Sequence, residues 1–599
     1  MDNIFRLWII IFFAALLIAP ATAEKSGHMI LLATTEGKDR EGSVADLYLD
    51  IRPGFDRVYI ETFPLTKLDT QISTRFAKEI ACDYLDKDCS SYDFFYTIRS
   101  DSIIIGGPSA GAALTMLTMA LLNDWEIDEK TAITGTINSG GFIGAVGGIE
   151  EKLTAARNAN ITKVLIPRGE SLKKTQLIKE DGDSLNITGE IKDFNVLAQD
   201  LNISLVEVAS IDEVIKEFTG IVPVRENISI SPDKQYLDTM KNISNDLCKR
   251  TEFIEEKLEQ KNNSLYLSAM NITEMADNAL DNGVHYSRAS FCFRANIMLR
   301  ELLLMQQDYD NKEIKELIKE VDNRISKTHK NISDYSIGTL TDLQTKIIVT
   351  DRLIDAEEHL KKAGEALLNN SNTTLYHLAY SIERHYSAIA WSSFFGKGST
   401  KFIIDNESLK NSCIEKLSEA EERYQFARLY VPSALTETRR VLDYGYQDMK
   451  AEKYELCLFK ASKAKAEANS LLSLINVNNE LMDRFLDTKL RLIEAAISKE
   501  QKRGNFPILG FSYYEYSKSL RKNNIYSAHI FSEYALEFSN LGMYFKREDR
   551  GSINIIEYGP FMIFGLGIFI GILITLLISR IKESNRKHSS IHIKIKKRK

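Results

Sequence analysis

Apolar and polar positions change rhythm once along this chain. Between residues 29 and about 218, short runs with a period of two alternate with amphipathic stretches of period 3.6, the pattern of a mixed α/β domain. Strands are predicted over 29–34, over 44–51, where Leu47, Leu49 and Ile51 alternate with polar neighbours, and over 58–63. A helix over 69–85, a strand over 92–105 and a helix over 109–123 rich in small residues follow. Strands over 131–137 and 142–146, a helix over 149–158 and a strand over 163–166 continue the alternation. Past Pro223 the period becomes helical throughout and prolines nearly vanish, up to about residue 550. Four stretches there, 286–303, 375–395, 454–474 and 513–541, each read as a Tyr-rich helix joined to an Ala/Ser-rich one. They predict helical hairpins stacked as a bundle or irregular solenoid, with Tyr386, Trp391 and Phe394 as core aromatics.

The two ends add expectations of their own. Arg6, an apolar run over 7–18 and Ala21-Thr22-Ala23 have the form of a secretory signal cleaved after residue 23. The uncharged stretch 561–579 has the length of a membrane span. Nine Lys/Arg against one Glu follow it over 580–599. By the positive-inside rule that tail is cytoplasmic and the body lies outside the cell. The expected order is a signal peptide (1–23), an α/β domain (24–225), an all-α domain (226–550), a single C-terminal transmembrane helix (558–579) and a basic cytoplasmic tail (580–599). Eleven Asn-x-Ser/Thr acceptors fit export without establishing glycosylation.

Composition narrows the class. With 44% hydrophobic and 27% charged residues in 599, the chain is neither disordered nor a polytopic membrane protein. The net charge of −7 hides a basic tail of +8 on a body of −15, which disfavours nucleic acid as a partner. The six cysteines, Cys82, Cys89, Cys248, Cys292, Cys413 and Cys457, form no CxxC or Cys/His cluster, so no metal site is signalled. Sequential pairing is the simplest of fifteen connectivities, and the sequence does not select among them.

Candidate chemistry is confined to the α/β domain. Its one histidine, His28, leaves a Ser-His-Asp hydrolase without a base. No GxxxxGK[ST] occurs; Gly396-Lys397-Gly398-Ser399-Thr400 lacks the upstream glycine and reads as an inter-helix loop. What stands out is Gly106-Gly107-Pro108-Ser109-Ala110-Gly111 ahead of an apolar helix. Ser109 either caps that helix or sits beside free N–H groups suited to an oxyanion. The second segment is Gly147-Gly148-Ile149-Glu150-Glu151-Lys152-Leu153, where Lys152 either pairs with Glu150 or Glu151 at the surface or is buried with a depressed pKa. A depressed lysine beside a serine activates a hydroxyl without histidine.

Together with Thr134-Gly135-Thr136-Ile137 and Lys163-Val164-Leu165-Ile166-Pro167, these segments resemble the proteolytic domain of Lon-type serine peptidases over about residues 28–220. The 43-residue interval from Ser109 to Lys152 matches that family's serine-to-lysine spacing without a gap. The resemblance implies Ser109 as nucleophile, Lys152 as general base, Thr134 hydrogen-bonding the lysine amine, and Gly107 and Ala110 supporting the nucleophile turn. No metal or cofactor is implied. Gly106 departs from the acidic residue many Lon enzymes carry there, and Phe95 and Thr97 stand where some members have histidines. With the signal, the helical region and the span, the chain resembles archaeal membrane-anchored Lon-like proteases that lack the ATPase module. The implied activity is a membrane-anchored, ATP-independent serine endopeptidase acting on exported, unfolded or membrane-proximal polypeptides, with homo-oligomers formed through the Lon-like domain. The alternatives are a catalytically silent surface scaffold and an enzyme that only processes itself.

Overall fold

In the computed structural model the described residues are 24–35, 41–181, 184–223, 230, 232–474, 479–548, 567–568 and 570–582. The expected signal peptide, 1–23, lies outside them. Residues up to Lys546 form one compact unit, and those from Arg547 a second.

The first half of that unit is α/β. Strands β1 (Lys25–Thr34), β2 (Gly42–Pro53), β3 (Val58–Thr66) and β4 (Tyr92–Ile105) form a sheet of order β1-β2-β4-β3, with only the β3–β4 pair parallel. The alternation read in β2 is real: Leu47, Leu49 and Ile51 are almost fully buried. They pack with Phe76 and Ile80 of helix α1 (Leu68–Tyr84) and Met116 of α2 (Gly111–Asn123) in one apolar cluster. A second, parallel sheet has the order β11-β8-β5, from β5 (Thr131–Ile133), β8 (Lys163–Pro167) and β11 (Ser204–Val208). Between β5 and β8 lie β6 (Thr136–Ile137), β7 (Ile143–Gly144) and helix α3 (Ile149–Asn158). The single strand predicted over 131–137 is therefore two, parted at Thr134-Gly135. A hairpin of β9 (Leu172–Asp181) and β10 (Ser184–Asp193) leads to α4 (Phe194–Asp200), and α5 (Ile211–Thr219) follows β11.

From Lys234 onward the unit is all-α, with twelve α-helices among the described residues. They are α6 (Lys234–Glu256), α7 (Ser264–Asp281), α8 (His285–Gln306), α9 (Asn311–Ser333), α10 (Leu340–Leu368), α11 (Thr374–Trp391), α12 (Asn406–Arg428), α13 (Thr436–Lys450), α14 (Tyr454–Leu474), α15 (Asn479–Lys502), α16 (Ile508–Leu520) and α17 (Ile525–Ser539). Three of the four expected hairpins are instead single helices: 286–303 lies within α8, 375–391 within α11 and 454–474 within α14. No Gly or Pro interrupts them, so nothing stops helix propagation. Only 513–541 breaks, at the Asn523-Asn524 turn where Asn524 caps α17. Trp391 and Phe394 are core residues, but Tyr386 is 37% exposed, with the Arg250 guanidinium over its ring. The cysteines pair sequentially, Cys82–Cys89, Cys248–Cys292 and Cys413–Cys457.

The C-terminal anchor is corrected. Among the described residues no helix is long and apolar enough to cross a membrane. The helical run 570–582 spans about 20 Å at 1.5 Å per residue and closes on Arg580 and Lys582, against a hydrocarbon core of about 30 Å. Residues 558–566 and 569 of the expected span lie outside the described residues. With the transmembrane helix goes the expected topology of an external body and a cytoplasmic tail, and membrane attachment as an interaction of this chain.

Candidate active site

The turn that carries Ser109 is built where β4 hands over to α2. Gly107 has φ 105°, a region open to glycine and costly to other residues, and Pro108 then fixes entry into a short 3-10 turn over Pro108–Ala110. Ala110 occupies the N-cap of α2 without a side-chain cap bond, so Ser109 does not cap that helix. Its side chain is half-buried at the helix N-terminus.

The lysine is placed by a second glycine. Gly148 caps α3 with φ 70° and its carbonyl accepts the first helical bond from the Lys152 amide at 3.0 Å. Lys152 therefore falls in the first turn and points inward, only 3% exposed. Burial pulls its pKa down to about 8, against the opposing pull of Glu151 on its own helix and Glu170 in the turn after β8. The surface ion-pair alternative is thereby removed, since Glu150 pairs with Lys192 at 2.8 Å.

Thr134 and Gly135, the break between β5 and β6, tie these two turns together. Lys152 Nζ donates to Thr134 Oγ1 at 2.9 Å. Next door, the Gly135 amide donates to the Ser109 carbonyl (2.9 Å), and Gly135 O accepts from the Ala112 amide (3.0 Å). Among the described residues no hydrogen bond joins Lys152 Nζ to the Ser109 hydroxyl. A buried amine near neutrality, a hydroxyl at a helix N-terminus and backbone N–H groups around it can together deprotonate an alcohol and hold an oxyanion.

The other candidates fall elsewhere. His28 of β1 pairs with Asp46 of β2 at 2.8 Å, both side chains exposed. The Gly396–Thr400 segment is an inter-helix loop whose Ser399 and Thr400 hydroxyls donate to the Gly504 carbonyl. No group of three or more His, Cys, Asp or Glu able to hold a metal occurs among the described residues. Two neighbours of the site escaped the sequence reading. Glu170 carries no motif that would flag it. Tyr430 comes from the helical region, and its hydroxyl approaches Gly147 so closely that an added Cβ would lie 2.6 Å away.

Comparison with known proteins agrees with this part of the chain. A family profile described as the Lon protease (S16) C-terminal proteolytic domain matches residues 85–203, about a fifth of the chain and narrower than the expected 28–220. That stretch contains Ser109, Thr134 and Lys152. The Lon protease of Clostridium beijerinckii is 36% identical over 113 residues, covering 19% of this chain and 14% of the relative. That of Methanosphaera stadtmanae is 29% identical over 170 residues, 28% of this chain and 18% of the relative. Desulfosudis oleivorans Lon protease is 38% identical over 95 residues, 16% and 12% respectively. The chain thus spans less than a fifth of the length of these relatives, and carries a serine-peptidase-like domain similar to their proteolytic part. Nothing in these matches selects an archaeal, membrane-anchored group, so that finer likeness is withdrawn.

Proposed function

We propose that this protein is a serine endopeptidase in which Ser109 is the nucleophile and Lys152 the general base, acting on unfolded polypeptides without hydrolysing nucleotide. The carrying observation is the buried Lys152, lowered to about 8 and hydrogen-bonded to Thr134, inside a domain similar to the Lon proteolytic domain. The neutral amine takes the Ser109 proton as Oγ attacks the scissile carbonyl carbon. Negative charge then builds on the carbonyl oxygen beside the N–H groups that open α2, which stabilise it. The Lys152 ammonium returns the proton to the leaving nitrogen, the C–N bond breaks, and an acyl-enzyme remains on Ser109. Water, deprotonated by the same amine, attacks the ester carbonyl carbon; the C–Oγ bond breaks, the Lys152 ammonium returns the proton to Ser109 Oγ, and the carboxylic acid product leaves.

An unfolded substrate follows from the chemistry available. A site that must hold an extended backbone segment across Ser109 needs that segment already free of structure, and the sequence has no GxxxxGK[ST] loop to power unfolding. The test is incubation of the full chain with casein and no nucleotide, with products read by mass spectrometry. Parent activity that disappears in both Ser109→Ala and Lys152→Ala supports the dyad. Equal cleavage by all three removes it.

A further inference from the structure

The hairpin that carries Thr134 has little holding it together on its own. Its β6–β7 ladder consists of two pairs, Thr136 with Gly144 and Ile137 with Ile143. An isolated two-stranded hairpin is marginal in water even when longer than this. Yet it must fix Thr134 against Lys152 and Gly135 against Ser109 at once.

Within the α/β half it is tied at its base, where the Thr134 amide donates to the Leu165 carbonyl and the Ile143 amide to the Ala209 carbonyl, both at 3.0 Å, and support for its tip comes from the helical region. At the hairpin tip, Ser139 is 2% exposed, and its hydroxyl donates to Glu537 Oε1 of α17 at 2.7 Å. Ser139 Oγ in turn accepts from Lys465 Nζ of α14 at 3.3 Å. These groups belong to a closed, charge-balanced cluster. Lys416 of α12 contacts Glu419 and Glu537, both at 2.9 Å, and Lys465 contacts Glu419 at 2.7 Å and Glu537 at 3.2 Å. All four are less than 10% exposed, and the Tyr544 hydroxyl donates to the remaining Glu419 oxygen at 2.7 Å. The Lys465 ammonium also lies 3.9 Å from the ring centroid of Phe76 in α1, so the cluster straddles the seam between the two halves. One turn along α12, Arg423 Nη2 makes a long 3.5 Å contact to the Ile137 carbonyl. Phe485 of α15 meets Phe142 edge-on on the far side of the tip.

We propose that Ser139 is a positioning residue of the peptidase centre, through which the helical region, by way of Glu537, Lys465 and Arg423, sets the hairpin geometry that holds Thr134 and Gly135 in place. The α/β half is then not a self-sufficient catalyst, and the helical region is part of its active centre. This rests on the Ser109–Lys152 reading above. It assigns the helical half a role in turnover that its distance in sequence conceals, since Ser139 and Glu537 are separated by 398 residues.

The test uses the full chain and fluorescently labelled casein. Ser139→Ala removes one hydroxyl without touching substrate-facing groups. The expected result is a folded protein with kcat lowered by about ten- to a hundredfold and KM within about twofold, because sub-ångström misplacement acts on the chemical step. The rising limb of the pH–kcat profile should also move to higher pH. A loosened hairpin admits water to Lys152, and weaker desolvation lets its pKa climb back while Glu151 and Glu170 still favour the ammonium. A merely structural role would lower the unfolding temperature and leave that limb unmoved. Should Ser139→Ala not fold, Arg423→Met is judged by the same two readings, with Arg423→Lys expected to recover part of the loss. A folded variant with parental kcat and parental limb, while Ser109→Ala and Lys152→Ala are dead, overturns the positioning role alone. Retained activity in those two variants overturns the dyad, and the positioning role falls with it.

Discussion

Lys152 is where a single side chain carries the proposed chemistry. The proposed base function requires the neutral amine, so kcat should rise with pH through about 8 and level off above it. A flat kcat profile from pH 6 to 10, with chemistry rate-limiting, would contradict the assignment. The same shift has a consequence for stability whose sign runs opposite to that of an ordinary ion pair. Folded Lys152 binds its proton more weakly than the unfolded chain does, about 8 against 10.5. The unfolded state therefore holds more protons between those values, and stability rises with pH across that window and is lowest below it. Two and a half pH units correspond to about 3 kcal/mol. Lys152→Met should accordingly abolish peptidase activity and raise stability at pH 7 by up to that amount, with the gain shrinking towards pH 10.5. Denaturant unfolding of both proteins at pH 7 and pH 10 checks it, and a destabilised Met variant at pH 7 would count against burial as the cause. Gly148 offers a companion case. At φ 70°, and with an added Cβ 2.6 Å from a Thr34 methyl, Gly148→Ala should cost about 1–2 kcal/mol and impair catalysis by displacing the first turn of α3. Urea titration and kcat, measured together, show whether the two losses coincide.

At the scale of elements, legibility followed how local the determining force is. Alternation in β2 reports burial on one face of a sheet, and the three apolar positions read from it are core residues. The helix Ile149–Asn158 was legible to the residue because Gly147-Gly148 marks its start and its first turn carries two glutamates. The turn at Gly107-Pro108 was legible for the same reason, a Gly-Pro pair whose backbone demands are written in the residues themselves. The break at Thr134-Gly135 was not, since nothing in that run distinguishes one strand from two. What parts them is the diversion of Gly135 to the Ser109 carbonyl and the Ala112 amide, a tertiary event. The long helices show the converse. Tyr-rich and Ala-rich halves of α8, α11 and α14 looked like separate elements, yet composition alone does not stop a helix without a turn residue.

Across the whole molecule the hidden feature is the seam. Lys416, Glu419, Lys465 and Glu537 belong to no sequence motif, and only assembly of α12, α14 and α17 buries them together. Within these four, paired residues lie up to 121 positions apart, beyond any spacing rule. Burial works to raise the carboxyl of Glu419, but the Lys416 and Lys465 ammonium groups outweigh it and hold it down to about 2; Glu537 is lowered by the same pair. A carboxylate depressed on folding contributes stability that is present above its ordinary value of 4.5 and lost as pH falls towards the folded value. Nearby Glu415 and Glu422 are pushed upward by burial, so they take up protons first and do not reinforce the seam. Acidification from pH 5 to 2 should therefore loosen the joint between the halves, and with it the brace on Ser139, before either core dissolves. The helical half has an additional restraint, because Cys248–Cys292 and Cys413–Cys457 each close a 44-residue separation, worth about 4 kcal/mol apiece in the chain-entropy estimate. At neutral pH, calorimetry of the full chain should show the α/β and helical halves melting together. At pH 3 the α/β half should melt first, and Glu537→Leu should produce that separation already at pH 7, because a single buried partner removed leaves two lysines short of charge at a cost of about 3–5 kcal/mol. Coincident melting in the Leu variant, with only a uniform drop in temperature, would mean that the seam is held by its apolar contacts and that the charged cluster does not couple the halves.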